Sequence, residues 1–319
     1  MYKIGNKIDE VRIDGNLDAL KRDLEHYRKI NIEAVELPAH GLDAIKNGFL
    51  DKRQLKRIKK ILEEFNFQYS VHSPNPLNLM DRQNLEQHIS VFRASLEFAL
   101  EIGSKILVYH PGRFIPEETF PVIGNLKISS DEKQRLLDME AQSLQKLSEE
   151  YPDIIICMEN ARPYLFHSPY TYAEKPDALK KQIEKINRKN VRATLDIGHL
   201  YMAAVFYDFD PVESAAEIKE LIAHTHVHDN FGGAVYHYEK QQTHQIPFGR
   251  GDSHMPVGWG KIPIEEILST YIEDYHGMLM MELRSRYFGD SDESGKNLEN
   301  ILDGITGNSP NEIKSAWEA

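Results

Sequence analysis

The chain has 319 residues, 41% apolar and 28% charged, with a formal charge of −12 and a pI near 5.6. That profile suits a soluble globular protein with a full core, and it disfavours nucleic acid as a partner, because a broad phosphate-backbone footprint needs clustered Lys and Arg. Cys157 is the only cysteine, which excludes an intrachain disulfide and a cysteine-based zinc site. No stretch approaches membrane-spanning length and no apolar signal-like run follows Met1, so a cytoplasmic enzyme without membrane attachment is expected.

Strand and helix patterns alternate from the start. Tyr2-Lys3-Ile4 reads as a first strand, followed by an amphipathic helix over Leu17 to Ile30 and a second strand over Ala34 to Leu37. Lys52 to Phe65 is a charged amphipathic helix, Gln68 to His72 a third strand closed by Ser-Pro-Asn-Pro, and Leu85 to Ile102 a helix stopped by Gly103. The fourth strand, Lys105 to His110, runs into Pro111-Gly112 and a proline-bearing loop from Arg113 to about Leu126. A helix over Asp131 to Tyr151, a fifth strand over Ile154 to Glu159, a helix over Pro176 to Asn187 and a sixth strand over Val191 to Asp196 come next. A helical stretch from Pro211 to Leu221 leads to the seventh strand, Ile222 to His228. After a long irregular segment, Asn230 to Gly260, come a helix over Pro263 to Tyr275 and an eighth strand over Met278 to Glu282. Eight strands separated by helices, with no linker or short repeat, predict an α/β fold: one (β/α)8 TIM-barrel domain over 1–319, with a C-terminal helical extension from about 292.

The strand ends carry the chemistry. His224, His226 and His228 alternate along the seventh strand and so share one face. His72, His110, Glu159, Asp196 (with His199 three residues on), His226 and Glu282 fall at the ends of strands three to eight. In a barrel those ends converge on one mouth. Unpaired carboxylates gathered there would repel one another, and divalent metal is the simplest resolution. Singly, each has a plainer reading: Glu159 paired with Arg162, Asp196 capping the turn before His199, His72 and His110 as structural histidines. Their repetition at successive strand ends favours a metal site. His167, His237, His244 and His276 lack such a setting and read as structural or surface residues.

The ordered motifs are Val-His-Ser-Pro at His72, Tyr-His-Pro-Gly at His110, Met-Glu-Asn at Glu159 and Leu-Asp-Ile-Gly-His at Asp196 and His199. They continue with His-Val-His-Asp-Asn at His226, Gly-Asp-Ser-His-Met-Pro at Asp252 and His254, and Met-Glu-Leu-Arg at Glu282. As a set they resemble the xylose isomerase-like TIM-barrel superfamily, which includes sugar and sugar-phosphate isomerases and epimerases and the endonuclease IV type of abasic-site endonuclease. In the epimerases the residues matching Glu159, Asp196, His226 and Glu282 hold one divalent ion, and the two glutamates double as the catalytic acid/base pair. In the endonuclease those four join the residues matching His72, His110, His199, Asp252 and His254 to hold three zinc ions. The resemblance therefore implies a cofactor of one to three divalent ions, zinc or manganese.

Two activities follow as expectations, the first narrowly preferred. One is isomerisation or epimerisation of a small sugar or sugar phosphate, with Glu159 and Glu282 moving a proton next to a metal-polarised oxygen. The other is metal-assisted phosphoester hydrolysis. A binding barrel without turnover is the weakest, since both acid/base glutamates are present. His228, Arg250, Trp259 and Arg284 are expected to contact substrate, with Arg250, Arg284 and Lys261 near enough by sequence to bind a phosphate or to form rim salt bridges. Tyr236, Tyr238, Phe248 and Trp259 suit a roof over a sugar ring or, equally, the subunit interface of a homo-oligomer.

Overall fold

The computed structural model describes residues 2–124, 127–239 and 242–307. Of the expected features, Leu126, residues 240 and 241 of the segment Asn230 to Gly260, and the C-terminal segment beyond 307 lie outside the described residues. Eight parallel strands close a barrel: β1 Lys3–Lys7, β2 Ala34–Pro38, β3 Gln68–His72, β4 Ile106–Tyr109, β5 Ile155–Glu159, β6 Val191–Asp196, β7 Ile222–Val227 and β8 Met278–Met281. Each pairs with its sequence neighbours, and β1 closes on β8 with Lys3 opposite Met278. β2, β4 and β8 are buried along their whole length, because helices cover the barrel outside while side chains fill it inside.

The lower interior is apolar, filled by Ala34, Ile106, Val108, Cys157, Met278 and Met280. Gly5 on β1 makes room for it: a Cβ there would lie 2.3 Å from Met280 Sδ and 2.7 Å from the Ala34 carbonyl oxygen. Moving toward the C-terminal mouth, the interior turns polar at Glu36, Ser70, Thr194 and His224, all fully buried.

Helix starts follow ordinary capping chemistry. The side chains of Asn16, Asp51, Ser129 and Asp210 accept backbone N–H groups at the heads of Leu17–Lys29, Lys52–Leu62, Ser130–Glu150 and Pro211–Ile218. The helix Ser291–Thr306 is not an appendage over its described part, since Leu298 and Leu302 are buried in the main core.

Several local features differ from the sequence reading. The helix expected over Pro263 to Tyr275 is broken into Ile264–Ser269 and a short 3-10 turn, Ile272–Asp274. β1 extends to Lys7, three residues beyond its expected end. A helix over Ile197–Tyr207 follows β6 directly. The segment after β7 is less irregular than expected: Asp229 pairs with Met255 through both backbone groups, and its carboxylate accepts the N–H of Asn230, Gly258 and Ile262 at 2.9, 3.1 and 3.3 Å. Among the described residues no helix is long and apolar enough to cross a membrane.

Candidate metal centre

The barrel brings the expected strand-end residues to one place. His72, Glu159 and Asp196 are the last residues of β3, β5 and β6; His110 and Glu282 follow β4 and β8 directly, and His226 lies within β7. Asp196 does two jobs. One oxygen caps the following helix by accepting the His199 N–H at 2.6 Å, which fixes the carboxylate and carries the His199 ring into the mouth. Asn160 locks the same strand end, its Oδ1 accepting the Asp196 N–H at 2.7 Å and its Nδ2 donating to the Asp196 carbonyl at 2.9 Å.

Among the described residues the donor atoms fall into four groups, each within 4.8 Å: His72, His110 and Glu159; Glu159, Asp196, His226 and Glu282; His199, His228, Asp252 and His254; and, deeper in the barrel, Glu36, His224 and His226. Glu159 belongs to two. Its Oε2 lies 3.5 Å from His72 Nε2 and 3.1 Å from His110 Nε2. Its Oε1 lies 3.4 Å from the Nδ1 atoms of both His199 and His226. His226 Nδ1 also faces Glu282 Oε2 at 3.3 Å and Asp196 Oδ2 at 3.8 Å. In the third group Asp252 Oδ2 is 2.8 Å from His254 Nε2 and 3.4 Å from His199 Nε2.

Divalent metal fits this donor set. Both oxygens of Glu159, Asp196 Oδ2, Asp252 Oδ1, His72 Nε2, His226 Nδ1 and His228 Nε2 are buried and make no hydrogen bond. Polar atoms sealed from water without partners are costly, yet these converge on common points as ligands do. The outer nitrogens support the same reading. His72, His199 and His254 place Nδ1 at 2.7, 2.9 and 2.7 Å from the carbonyl oxygens of Ser73, Asn160 and Glu282. Donating there fixes the tautomer and leaves Nε2 for the interior of the site. Against the cost of burial, His110 and His226 hold Glu159 well below the usual carboxylate range.

A cavity of about 200 Å³ opens over the cluster, walled in part by Lys7, His110, Arg162, Asp252, Glu282 and Arg284. The buried Lys7 ammonium contacts Glu282 Oε1 and lies 3.4 Å from Glu10. Arg162 reaches Asp252 at 3.4 Å and donates to Tyr164 Oη at 3.1 Å, so it is not the partner of Glu159. Arg284 donates to the Asp252 carbonyl at 2.7 Å and holds its expected place on the wall.

Other expected substrate contacts do not stand there. His228 is fully buried, 3.2 Å from Asp196 Oδ1 and stacked on His254 at 4.0 Å, which puts it among the candidate ligands. Trp259 donates its indole N–H to Glu293 at 2.9 Å and is not a wall residue. Arg250 is exposed and outside the wall, because its segment bridges to Gly233 through the backbone. Tyr236, Tyr238 and Phe248 are 39, 79 and 74% exposed and do not line the cavity; among the described residues of the segment Asn230 to Gly260, Asp252 and His254 alone line it. His237 packs instead against Phe120 and Tyr164, with ring centroids 4.8 and 5.4 Å away.

Lys7, Glu36 and Asn160 escaped the sequence reading as site residues, and Arg162 entered it only as a partner for Glu159. A single charged residue inside the otherwise apolar Ala34–Pro38 was the available signal for Glu36, and the extra turn-free length of β1 hid Lys7.

Comparison with known proteins agrees with this architecture. The model of the xylose isomerase-like TIM barrel family matches residues 24–305. The chain is 26% identical over 272 residues to the uncharacterized protein MJ1311 of Methanocaldococcus jannaschii, covering 83% of this chain and 79% of that one. It is also 26% identical over 174 residues to a probable endonuclease 4 of Metamycoplasma arthritidis, covering 53% of this chain and 57% of that protein. Among solved structures, a D-tagatose 3-epimerase-like protein superposes with a TM-score of 0.69 at 23% identity, over 96% of this chain and 98% of that one. An L-ribulose 3-epimerase superposes at 0.62 with 14% identity, over 98% and 89%. These two likenesses concern the fold. From the family match and the barrel together, the chain belongs to the xylose isomerase-like TIM barrel family.

Proposed function

We propose that this chain is a metal-dependent enzyme that hydrolyses a phosphoester of a small molecule at a centre of more than one divalent ion. The observation that carries the proposal is Glu159, whose Oε2 faces His72 and His110 while its Oε1 faces His226 Nδ1. A carboxylate so placed could be shared between neighbouring ions if the site were loaded.

Divalent ions held there would supply Lewis acidity toward a phosphoryl oxygen and a nucleophile from water at neutral pH. Glu159, Asp196, His226 and Glu282 would hold one ion, His72 and His110 with Glu159 a second, and His199, Asp252 and His254, with His228 beside them, a third. Lys7, Arg162 and Arg284 line the cavity and give it positive charge where an anionic ester would enter. A cavity of about 200 Å³ suits a small ester, and the charge of −12 disfavours a duplex. The name of the mycoplasma relative, a probable endonuclease, is in keeping with phosphoester chemistry.

The second reading is isomerisation or epimerisation of a sugar or sugar phosphate, favoured by the epimerase titles among the fold neighbours and by the pair Glu159 and Glu282. It requires both glutamates to present a free oxygen to substrate. Glu159 lines the cavity, but both its oxygens are buried against imidazoles, and Glu282 Oε1 is occupied by Lys7. The test is one metal-loaded sample split between two assays. Phosphate release from small sugar phosphates without deuterium uptake from D2O supports hydrolysis. Deuterium entering the carbon beside a ketose carbonyl, without phosphate release, supports the isomerase.

A further inference from the structure

Beneath the centre lies a carboxylate that takes no part in the ligand set. Glu36 on β2 is fully buried, one layer below the mouth. Its Oε2 accepts the Ser70 hydroxyl at 2.9 Å and lies 2.8 Å from His224 Nε2, while Oε1 lies 3.0 Å from His226 Nε2. The close contact with a carboxylate oxygen, although not aligned as a hydrogen bond, favours the proton on His226 Nε2, because a lone pair turned toward that oxygen would be repelled. Its Nδ1, turned toward Glu159, Asp196 and Glu282, is then the free donor.

This sets His226 apart from the other imidazoles whose outer nitrogen has a partner. His72, His199 and His254 are backed by neutral backbone carbonyls. His226 is backed by the carboxyl group of a fully buried glutamate, where the attraction is strongest and the imidazole becomes the most basic ligand. Glu36 cannot slide away, because His224 and Ser70 grip its other oxygen. We propose that Glu36 is the positioning residue of the four-ligand group: it fixes the tautomer of His226, raises its basicity and makes this the tightest of the metal positions. The inference rests on Glu159, Asp196, His226 and Glu282 holding one ion. Glu36 with His224 and His226 also forms a compact donor group. Serving as a ligand position there would demand Nε2 of His226 deprotonated beside a carboxylate, and the Ser70 hydroxyl already fills one lone pair.

The experiment compares wild type with Glu36→Gln and Ser70→Ala after metal removal, by Co²⁺ titration followed through calorimetry and the visible spectrum, with thermal unfolding of each apoprotein. Glu36→Gln should weaken one ion by roughly 10 to 100-fold and leave any others within twofold, with the apoprotein melting as wild type does. Ser70→Ala, which loosens Glu36 without removing its charge, should weaken the same ion by a smaller factor, and it decides the matter should Glu36→Gln not fold. All ions unchanged, all weakened together with a lowered apoprotein melting temperature, or loss of an ion beyond the three groups at the mouth would each overturn the role. Wild type holding a single ion would contradict the multinuclear reading, and a 10 to 100-fold weaker ion in Glu36→Gln would still support Glu36.

Discussion

Lys7 and Glu282 meet at the edge of the cavity, the ammonium on Oε1 while Oε2 faces His226 Nδ1 at 3.3 Å. One carboxylate is thus divided between a fixed cation and the candidate metal position. Glu10, Glu282 and Glu36 hold Lys7 charged despite the cost of its burial. A buried cation beside a cluster of carboxylates and imidazoles is well placed to meet an anionic substrate. Lys7→Met should keep the bound-metal content of wild type and lower kcat/KM on a phosphoester by roughly 100-fold, the scale of one lost electrostatic contact in a desolvated site. Metal analysis beside steady-state kinetics separates the two quantities.

Gly198 packs face-on against the His228 ring: a Cβ there would lie 2.0 Å from His228 Cε1. Gly198→Ala should therefore push the ring out of the third group, remove one ion, and cost about 1 to 3 kcal/mol of stability through overpacking. Counting ions per chain alongside denaturant unfolding checks both effects.

Arg162 and Arg250 give a matched pair. Arg162 lines the cavity, whereas Arg250 is exposed and outside it. Arg162→Ala should raise KM for a phosphoester by about tenfold or more, and Arg250→Ala should leave kcat and KM within about twofold, given that removing one charged hydrogen bond costs roughly 1.5 to 3 kcal/mol. Equal effects would contradict the placement of the two arginines.

Away from the centre, burial lifts Glu174 to about 7, against the hydrogen bonds it accepts from Tyr207 and the backbone of Tyr170 and Thr171. A carboxyl whose folded value is raised holds its proton longer in the folded state. Its contribution to stability is full below the ordinary value of 4.5 and is lost as pH rises through about 7. Glu174→Gln removes that dependence. The stability of wild type relative to the variant should fall by on the order of 2 kcal/mol between pH 4.5 and 8. Urea unfolding at several pH values measures it, and a constant difference would contradict the buried protonated carboxyl.

The strands and most of the centre were legible because strand periodicity and the C-terminal mouth of a barrel together bring His72, His110, Glu159, Asp196, His226 and Glu282 together from positions far apart in sequence. Three things were not legible. The helix Ile197–Tyr207 buries Ile197, Leu200, Met202, Ala203 and Ala204, so it lacks the one-sided apolar stripe by which helices are recognised. Glu36 and Lys7 are single charged residues whose inward direction is set by barrel closure. The aromatics Tyr236, Tyr238 and Phe248 have the composition of a sugar platform, but Asp229 ties the base of their segment in a way that composition does not encode.

The most direct measurement is the metal content of the chain purified without added metal, set beside that of Glu159→Gln. A bridging Glu159 predicts more than one divalent ion per wild-type chain, up to three, and loss of at least two from the variant with the fold retained by circular dichroism. One ion per wild-type chain, or a variant that keeps all but one, would contradict the multinuclear centre.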